Sequence, residues 1–228
     1  MKSNKRICVI VPVFNEGKVI RNTLSELLST PYELIVVDDA SKDDTYLKIK
    51  DLAIHYLRHE INLGQGAALQ TGMGYAVLLN ADVVIHFDAD GQHRIADLPS
   101  LLEPILEGKA DVVLGSRFMN GTPGEIPLVR KVLLQHARWI NGLLTGLWLS
   151  DAHNGLRALN RTAFSKIQLK ENGMAHATEI LIEVRKHKLK FMEIPVEILY
   201  STYSQSKGQS AWNAFNILSD ILLRKFFP

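Results

Sequence analysis

The chain has 228 residues, of which 46% are hydrophobic and 22% are charged, and its formal net charge is +2. These values describe one globular domain with a substantial core, and they give no argument for nucleic-acid binding. Cys8 is the only cysteine, which argues against an intrachain disulfide and a cysteine-based zinc cluster. No run approaches the roughly 20 apolar residues needed to cross a bilayer, and the basic start is not expected to act as a signal peptide.

Apolar runs rich in β-branched residues alternate along the first half of the chain with segments of helical period. The strand candidates are Ile7–Val11, Glu33–Asp38, His55–Arg58, Val83–Asp88 and Asp111–Ser116. The helix candidates between them are Lys18–Leu28, Thr45–Leu52, Gln65–Leu79 and Leu98–Glu107. This alternation predicts an α/β fold whose mostly parallel sheet is covered by helices on both faces.

Two carboxylates stand one residue apart at the end of the fourth predicted strand: Asp88 is its last residue, and Asp90 lies in the turn that follows. Alternate side chains of an extended segment share a face, so the two can converge where the strand ends. Carboxylate oxygens suit Mg²⁺ or Mn²⁺, which take further ligands from water and from substrate phosphates. An Asp-rich turn can also simply stop a strand and cap a helix. A second acidic strand end, at Asp38 and Asp39, favours one shared site at the carboxyl edge of the sheet.

The glycines of the chain form neither a dinucleotide fingerprint nor a phosphate-binding loop, so NAD binding and ATP hydrolysis are not predicted. Five other motifs occur in order: Val11-Pro12-Val13-Phe14-Asn15-Glu16, Val37-Asp38-Asp39-Ala40-Ser41, Asn62-Leu63-Gly64, Asp88-Ala89-Asp90-Gly91-Gln92 and Gly115-Ser116-Arg117. Together they resemble the motifs of inverting family 2 glycosyltransferases with a GT-A fold. The resemblance extends to about Gln209, and it is greatest to the dolichyl-phosphate mannose and polyprenyl-phosphate sugar synthases.

The resemblance implies that the loops after the first two strands bind the nucleotide. Family members cradle the base and ribose there, where Glu16 is suited to accept hydrogen bonds from hydroxyl groups. The residues concerned are Pro12, Phe14, Asn15, Glu16, Asp38 and Asp39. The alternative is that Pro12 ends a strand and Asn15 caps the next helix. Ser41 and Asp43 are expected to be turn and cap residues before a helix, outside the site.

At the fourth strand end, the resemblance implies that a metal ion holds the diphosphate. Asp90 is the expected direct ligand, and Asp88 would reach the ribose, or the metal through water. Ala89 and Gln92 complete this part of the donor site, and the expected metal set is Asp88, Asp90 and Gln92. The metal would act as a Lewis acid and template for the leaving nucleoside diphosphate. Arg117 would add a positive charge near the phosphates, unless it is a surface arginine paired with an acid.

Acceptor chemistry is expected in the second half of the chain. Arg130 precedes an apolar, helix-like run and is the candidate for a lipid phosphate, whereas Lys131 and Arg138 are expected to face water. By resemblance, Asp151 lies near the acceptor, and Asn154 stands where the family usually carries a small or sulfur-bearing residue. A phosphate monoester has a second pKa of about 6 and needs no strong base. Asp151 would then orient acceptor or sugar, and would act as a base only toward a hydroxyl acceptor.

Three further features lie toward the end of the chain. Glu179 lies at the start of a predicted helix, and the resemblance implies that an acid on this helix approaches the donor sugar. The alternative is that the helix dipole alone favours a carboxylate there. The polar stretch 200–210 resembles a loop that closes over the diphosphate with Lys207, and a plain linker is the alternative. Residues 210–228 have the period of an amphipathic helix. Such a helix packs on its domain, meets another subunit, or binds a membrane surface or a small membrane partner.

The predicted organisation is a GT-A domain over residues 1–209, with a donor half at about 1–118 and an acceptor half at about 119–209. The C-terminal helix 210–228 follows it. The resemblance implies metal-dependent, inverting transfer of a sugar from a UDP-hexose or GDP-mannose to a polyprenyl phosphate, by an enzyme attached peripherally to the cytoplasmic face of a membrane. Two alternatives remain: transfer to a glycan hydroxyl, and a non-catalytic nucleotide-sugar-binding module that serves a membrane partner.

Overall fold

The computed structural model describes residues 5–119, 139, 142–143, 145–152 and 154–199. Its strands are β1 (Ile7–Val13), β2 (Glu33–Asp38), β3 (His55–Arg58), β4 (Val83–His86), β5 (Val112–Ser116), β6 (Arg157–Asn160) and β7 (Phe191–Pro195). Its helices are α1 (Ile20–Leu27), α2 (Thr45–Ile49), α3 (Gln65–Leu78), α4 (Leu98–Leu106), α5 (Arg161–Lys166) and α6 (His176–Lys186), with a 3₁₀ turn at Ile95–Asp97 before α4.

Within the described ranges, the seven strands form one mixed sheet in the order β3-β2-β1-β4-β6-β5-β7. β1 pairs in parallel with β2 and β4, and β2 pairs in parallel with β3. β6 is antiparallel to both β4 and β5, whereas β7 is parallel to β5. The α/β class, the mostly parallel sheet and all five predicted strands are therefore confirmed. Two strands were not predicted from the sequence: β6, which begins with an arginine, and β7, whose residues are half-buried or exposed.

Side chains that alternate along the central strands fill two hydrophobic layers, one on each face of the sheet. Cys8 and Ile10 of β1 belong to the layer that α3, α5 and α6 cover. Val9 and Val11 point the other way, into the layer that α1 and α4 cover. Burial on both faces explains why β1, β2 and β4 read as nearly continuous apolar runs.

A close contact between α3 and β1 yields a stability prediction. A Cβ atom added at Gly72 would overlap Cγ2 of Ile10, whereas one added at Gly74, on the exposed side of the same helix, meets nothing within 4 Å. We expect Gly72→Ala to lower the free energy of unfolding by about 1–3 kcal/mol through overpacking. Gly74→Ala should raise it by up to about 1 kcal/mol through helix propensity. Urea unfolding measures both, and equal effects would contradict the packing of α3 on β1.

The predicted C-terminal helix, residues 210–228, lies outside the described residues. In the part of the chain that the structure describes, no helix combines the length and the apolar character needed to span a membrane. The division into a domain at 1–209 and a separate helix stays a prediction.

Candidate functional site

Six of the seven described strands present their carboxyl ends at one edge of the sheet, and the predicted donor residues follow four of them, β1, β2, β4 and β5. β1, β2 and β4 are parallel neighbours, and β5 has the same direction because both it and β4 are antiparallel to β6. The loops at this edge carry the residues predicted for the donor site, namely Phe14, Asn15, Glu16, Asp39, Asp88, Ala89, Asp90, Gln92 and Arg117. Pro12 and Asp38 lie just before the edge, at the ends of β1 and β2. The sequence motifs therefore converge as the fold class predicts.

The loops after β1 and β2 are joined by Asn15. Its backbone N–H donates to Oγ of Ser41 at 2.9 Å, and its Oδ1 accepts from the N–H of Lys42 at 2.8 Å. Asn15 has a φ of 55°, a conformation that asparagine tolerates better than most residues. The residue before α1 is Val19, so Asn15 bridges two loops instead of capping that helix. The bridge fixes the shape of the loop in which Phe14 stands 42% exposed.

Asp38 is completely buried, and its carboxylate is occupied within the protein. Oδ1 accepts from the N–H of Ser41 at 2.8 Å, and Oδ2 accepts from the hydroxyl of Tyr56 at 2.6 Å. Burial, together with the hydrogen bond to Asp38, raises the pKa of Tyr56, which therefore stays protonated and continues to donate. Any contact of Asp38 with base or ribose would compete with these bonds, and this role stays a prediction.

The next carboxylate, Asp39, holds the loop that precedes α3. Its oxygens accept from the backbone N–H groups of Leu63 and Gly64 at 2.9 and 2.6 Å, and His59 Nδ1 lies 2.7 Å from Oδ1. His59 Nε2 in turn lies 2.9 Å from the hydroxyl of Thr71 on α3. Sequence reasoning missed His59, because its position one residue beyond β3 gives no local pattern. Asp39 thus connects the predicted nucleoside end of the site to the start of α3.

Asp88 is held by two side chains from different elements. Gln65 Nε2, at the start of α3, donates to Oδ1 at 2.9 Å, and His93 Nε2 lies 3.0 Å from Oδ2. Burial would raise the pKa of Asp88, but the hydrogen bond from His93 and the charges of His93 and Arg157 outweigh it, so the pKa falls to about 2. Gly155 packs so closely against this carboxylate that a Cβ there would overlap it. Neither Gln65, known from the sequence only as the start of a predicted helix, nor His93, which follows Gln92 directly, was predicted for the site.

Asp90 completes a pair of carboxylates that repel one another. Its Oδ1 accepts from the N–H of Gln92 at 3.0 Å, and burial together with the charge of Asp88 raises its pKa. A divalent cation would relieve this repulsion, and carboxylate oxygens are the ligands that Mg²⁺ and Mn²⁺ prefer. The donor set therefore fits the predicted metal. In the described ranges no three His, Cys, Asp or Glu side chains form a metal site by themselves.

Arg117 and Asp151 form an ion pair at the other side of the site. Arg117 Nε and Nη2 donate to the two oxygens of Asp151 at 2.6 and 2.8 Å, and the backbone N–H of Arg117 donates at 3.1 Å. Asp151 is almost fully buried, and Glu193 on β7 fixes its loop by accepting from the backbone N–H groups of Ser150 and Asp151. The structure thus joins two residues that were predicted for separate roles.

A cluster of three buried basic residues lies near Asp88. His86 and Arg157 are register partners on β4 and β6, and His176 begins α6; all three are at most 4% exposed. Burial, aided by the charge of Arg157, lowers the pKa of His86 to about 3 and that of His176 to about 4, so both histidines are neutral at pH 7. Burial also lowers the pKa of Arg157 to about 10, which leaves it charged.

His176 makes stability depend on pH. In the unfolded chain His176 takes up a proton as the pH falls through 6.5, whereas in the folded protein it does so only near pH 4. Between these values the unfolded chain binds more protons, so the folded protein becomes less stable as the pH is lowered. When the pH is lowered from 7 to 4.5, we expect the free energy of unfolding to fall by up to about 2 kcal/mol more in the wild type than in His176→Gln. Glutamine can still donate toward the carbonyl oxygen of Gly173, 2.8 Å from Nδ1. Equal losses in urea unfolding would contradict the prediction.

Glu179 lies in the first turn of α6, as predicted, and its carboxylate accepts from the backbone N–H groups of Lys170 and Glu171 at 3.0 and 2.9 Å. It therefore holds the segment before α6, and its contact with the donor sugar stays a prediction. Arg130, Lys207 and the stretch 200–210 lie outside the described residues.

Comparisons with known proteins agree with this architecture. Residues 8–168 match Glycosyl transferase family 2. The chain is 34% identical to a UDP-N-acetylglucosamine–dolichyl-phosphate N-acetylglucosaminyltransferase from Methanococcus voltae, over 98% of this chain and 97% of that protein. It is 28% identical to an undecaprenyl-phosphate mannosyltransferase from Micrococcus luteus, over 89% and 87% of the two chains.

The fold also matches a solved structure. Glucosyl-3-phosphoglycerate synthase from Mycobacterium tuberculosis, in complex with Mn²⁺ and UDP-glucose, superposes with a TM-score of 0.72 at 18% identity, over 97% of this chain and 78% of that one. At that identity the likeness establishes the fold alone. With a family match that spans most of the chain, and a mixed seven-stranded sheet flanked by helices in its described part, this protein belongs to glycosyl transferase family 2 and has the GT-A-like fold expected from its motifs.

Proposed function

We propose that the protein transfers a sugar from a nucleotide sugar to a polyprenyl phosphate, with inversion at the anomeric carbon and with a divalent cation as cofactor. The observation that carries this proposal is the juxtaposition of the Asp88 and Asp90 carboxylates at the end of β4, on the edge where the β1 and β2 loops meet. The relatives named as dolichyl-phosphate and undecaprenyl-phosphate glycosyltransferases align over most of this chain and support the choice of acceptor.

Asp90 would hold the cation, with Asp88 and Gln92 beside it. When bound, the cation supplies Lewis-acid stabilisation of the leaving nucleoside diphosphate. Gln65 and His93 fix the orientation of Asp88, so little rearrangement of that carboxylate is needed on binding. The loop that Asn15 bridges would hold the nucleoside, with Phe14 and Glu16 facing it.

A phosphate nucleophile fits the environment of Asp151. Both oxygens of this carboxylate accept hydrogen bonds from Arg117, an arrangement suited to holding the arginine rather than to taking a proton. A phosphate monoester is already largely dianionic at pH 7, because its second pKa is about 6, and can attack without a general base. These contacts favour a lipid phosphate over a glycan hydroxyl. Because such an acceptor resides in a bilayer, we also propose peripheral attachment at the cytoplasmic face of a membrane.

The test is a transfer assay with a panel of radiolabelled UDP-sugars and GDP-mannose, a short polyprenyl phosphate, and Mn²⁺ or Mg²⁺. UDP-N-acetylglucosamine is the first donor to try, given the name of the relative at 34% identity. The matched control acceptor is the same polyprenol without its phosphate. We expect organic-extractable label only with the phosphorylated lipid and the metal. Label on the free alcohol would favour a hydroxyl acceptor, and no product with any donor would refute the proposal.

A further inference from the structure

Arg157 is a buried arginine that the sequence analysis did not use. It is the first residue of β6, and its register partners are His86 on β4 and Leu114 on β5. Paired residues of antiparallel strands place their side chains on the same face of a sheet. The guanidinium therefore lies on the face of His86 and, two residues further along, of Asp88. It is 2% exposed.

The guanidinium keeps unused hydrogen-bonding capacity. Its charge interacts with those of Asp88 and Asp151, yet no hydrogen bond joins it to either carboxylate within the described residues, and its buried Nη1 has no partner. A buried cation is costly unless hydrogen bonds and counter-charges compensate it. Arg117, by contrast, spends Nε and Nη2 on Asp151. Arg157 is thus a buried cation close to the predicted site, and its Nη1 makes no hydrogen bond to the described residues.

A neutral donor stands three residues earlier, in the segment that leads into β6. Asn154 is buried, its Oδ1 accepts from the N–H of Leu156 at 2.9 Å, and its Nδ2 has no partner. Between them, Gly155 lies directly against the carboxylate of Asp88. Within the described ranges, five buried side-chain nitrogens have no partner, and all belong to the segment entering β6, to the first residue of β6, or to the end of β4 and the loop after it. They are His86 Nδ1 and Nε2, His93 Nδ1, Asn154 Nδ2 and Arg157 Nη1.

We propose that Arg157 and Asn154 form a phosphoryl-binding subsite, in which they donate hydrogen bonds to a phosphate group of the substrate. The proposal rests on the proposed function and deepens it, because it names the residues that recognise a phosphate. A phosphoryl group is negatively charged and offers several oxygen acceptors, which suit the forked donors of a guanidinium. Their negative charge would also offset a buried cation. The phosphoryl group belongs to the donor diphosphate or to the lipid acceptor, and the two sources give different results.

The experiment compares the wild type with Arg157→Met, which removes the charge at similar size, and Arg157→Lys, which keeps the charge but loses the fork. Arg161→Met is the matched control, because Arg161 is exposed and its Nη2 donates to Asn80. Calorimetry measures the affinity for the nucleoside and for the nucleoside diphosphate with Mn²⁺. Steady-state assays give KM for the short polyprenyl phosphate. Circular dichroism confirms that each variant is folded.

If the phosphoryl group is that of the donor, Arg157→Met weakens nucleoside diphosphate binding by about tenfold or more, because a hydrogen bond to a charged group contributes roughly 1.5–3 kcal/mol. Nucleoside binding then stays unchanged. If it is that of the acceptor, both affinities hold, and KM for the polyprenyl phosphate rises by a similar factor. Arg157→Lys should fall between these results and the wild type. Unchanged values for all three ligands, or a parallel loss of all three in a folded variant, would overturn the subsite.

Should Arg157→Met fail to fold, Asn154→Ala and the wild-type protein decide the question. Crystals of the wild type with nucleoside diphosphate and Mn²⁺, or with inorganic phosphate, should place a phosphoryl oxygen within about 3.2 Å of the Arg157 guanidinium. Phosphoryl groups beyond hydrogen-bonding reach in both complexes, with unchanged kinetics in Asn154→Ala, would refute the subsite. Normal lipid transfer by Arg157→Met would refute it while leaving the proposed function intact, whereas a wild type without transfer would refute the function.

Discussion

Replacing Asp90 with alanine should lower metal-dependent sugar transfer by about a thousandfold or more. Asp90 is half-buried beside Asp88. Partial burial and the charge of Asp88 raise the pKa of Asp90, and this carboxylate pair is the predicted anchor for the cation. A catalytic cation stabilises the transition state by several kcal/mol, and about 1.4 kcal/mol corresponds to a factor of ten. Steady-state kinetics over a range of Mn²⁺ concentrations would measure the loss.

Asp51→Ala is a suitable control for that experiment. The Asp51 side chain is 56% exposed and pairs with Arg21, away from the carboxyl edge of the sheet. We expect its turnover to match the wild type. Asp90→Ala should still bind the free nucleoside, because that moiety is assigned to the β1 and β2 loops. Turnover of Asp90→Ala within tenfold of the wild type, at saturating Mn²⁺, would remove Asp90 from the metal site.

The second large effect is expected at the ion pair of Arg117 with Asp151. Arg117→Met leaves a carboxylate that is 2% exposed without its bidentate partner. Breaking a buried pair from one side typically costs about 3–5 kcal/mol, because the remaining charge loses its hydrogen-bonded partner. We therefore expect the free energy of unfolding, measured in urea, to fall by about this amount. A loss below about 1 kcal/mol would mean that the pair behaves like a surface salt bridge.

The double variant Arg117→Met with Asp151→Asn separates stability from chemistry. Neutralising Asp151 removes the buried charge, so most of the stability should return. Sugar transfer should remain low, because the guanidinium of Arg117, which is predicted to lie near the phosphates, is still missing. Recovery of both properties would show that Arg117 serves only to compensate Asp151.

The strands could be predicted because burial on two faces imposes a strong apolar pattern on them. β2 and β3 begin and end at the predicted residues. β6 could not be found in this way, since four residues that begin with Arg157 carry no apolar run. β7 lies at the sheet edge, with Phe191 and Met192 more than a third exposed, so its sequence lacks the same pattern.

The convergence of the acidic strand ends follows from parallel topology, so the motifs alone could predict it. The partners of each carboxylate could not be predicted, because they come from distant parts of the chain. Gln65 reaches Asp88 from α3, and Asp151 reaches Arg117 from 34 residues away. Such pairings depend on the three-dimensional packing of loops, which leaves no periodic signal in the sequence.

The antiparallel course of β6 also bears on how specificity can diversify in this architecture. β5 ends and β6 begins at the edge of the sheet that carries the candidate site, so the connection of residues 117–156 leaves from that edge and returns to it. Two contacts hold its ends together: a hydrogen bond between the hydroxyl groups of Ser116 and Ser150 at 2.6 Å, and the ion pair of Arg117 with Asp151. All seven strands of the described sheet lie outside this connection, so its interior could change in sequence without a change in the order of the strands. Because the acceptor half is predicted to begin in this connection, a change of acceptor would then need a new insert and no new fold.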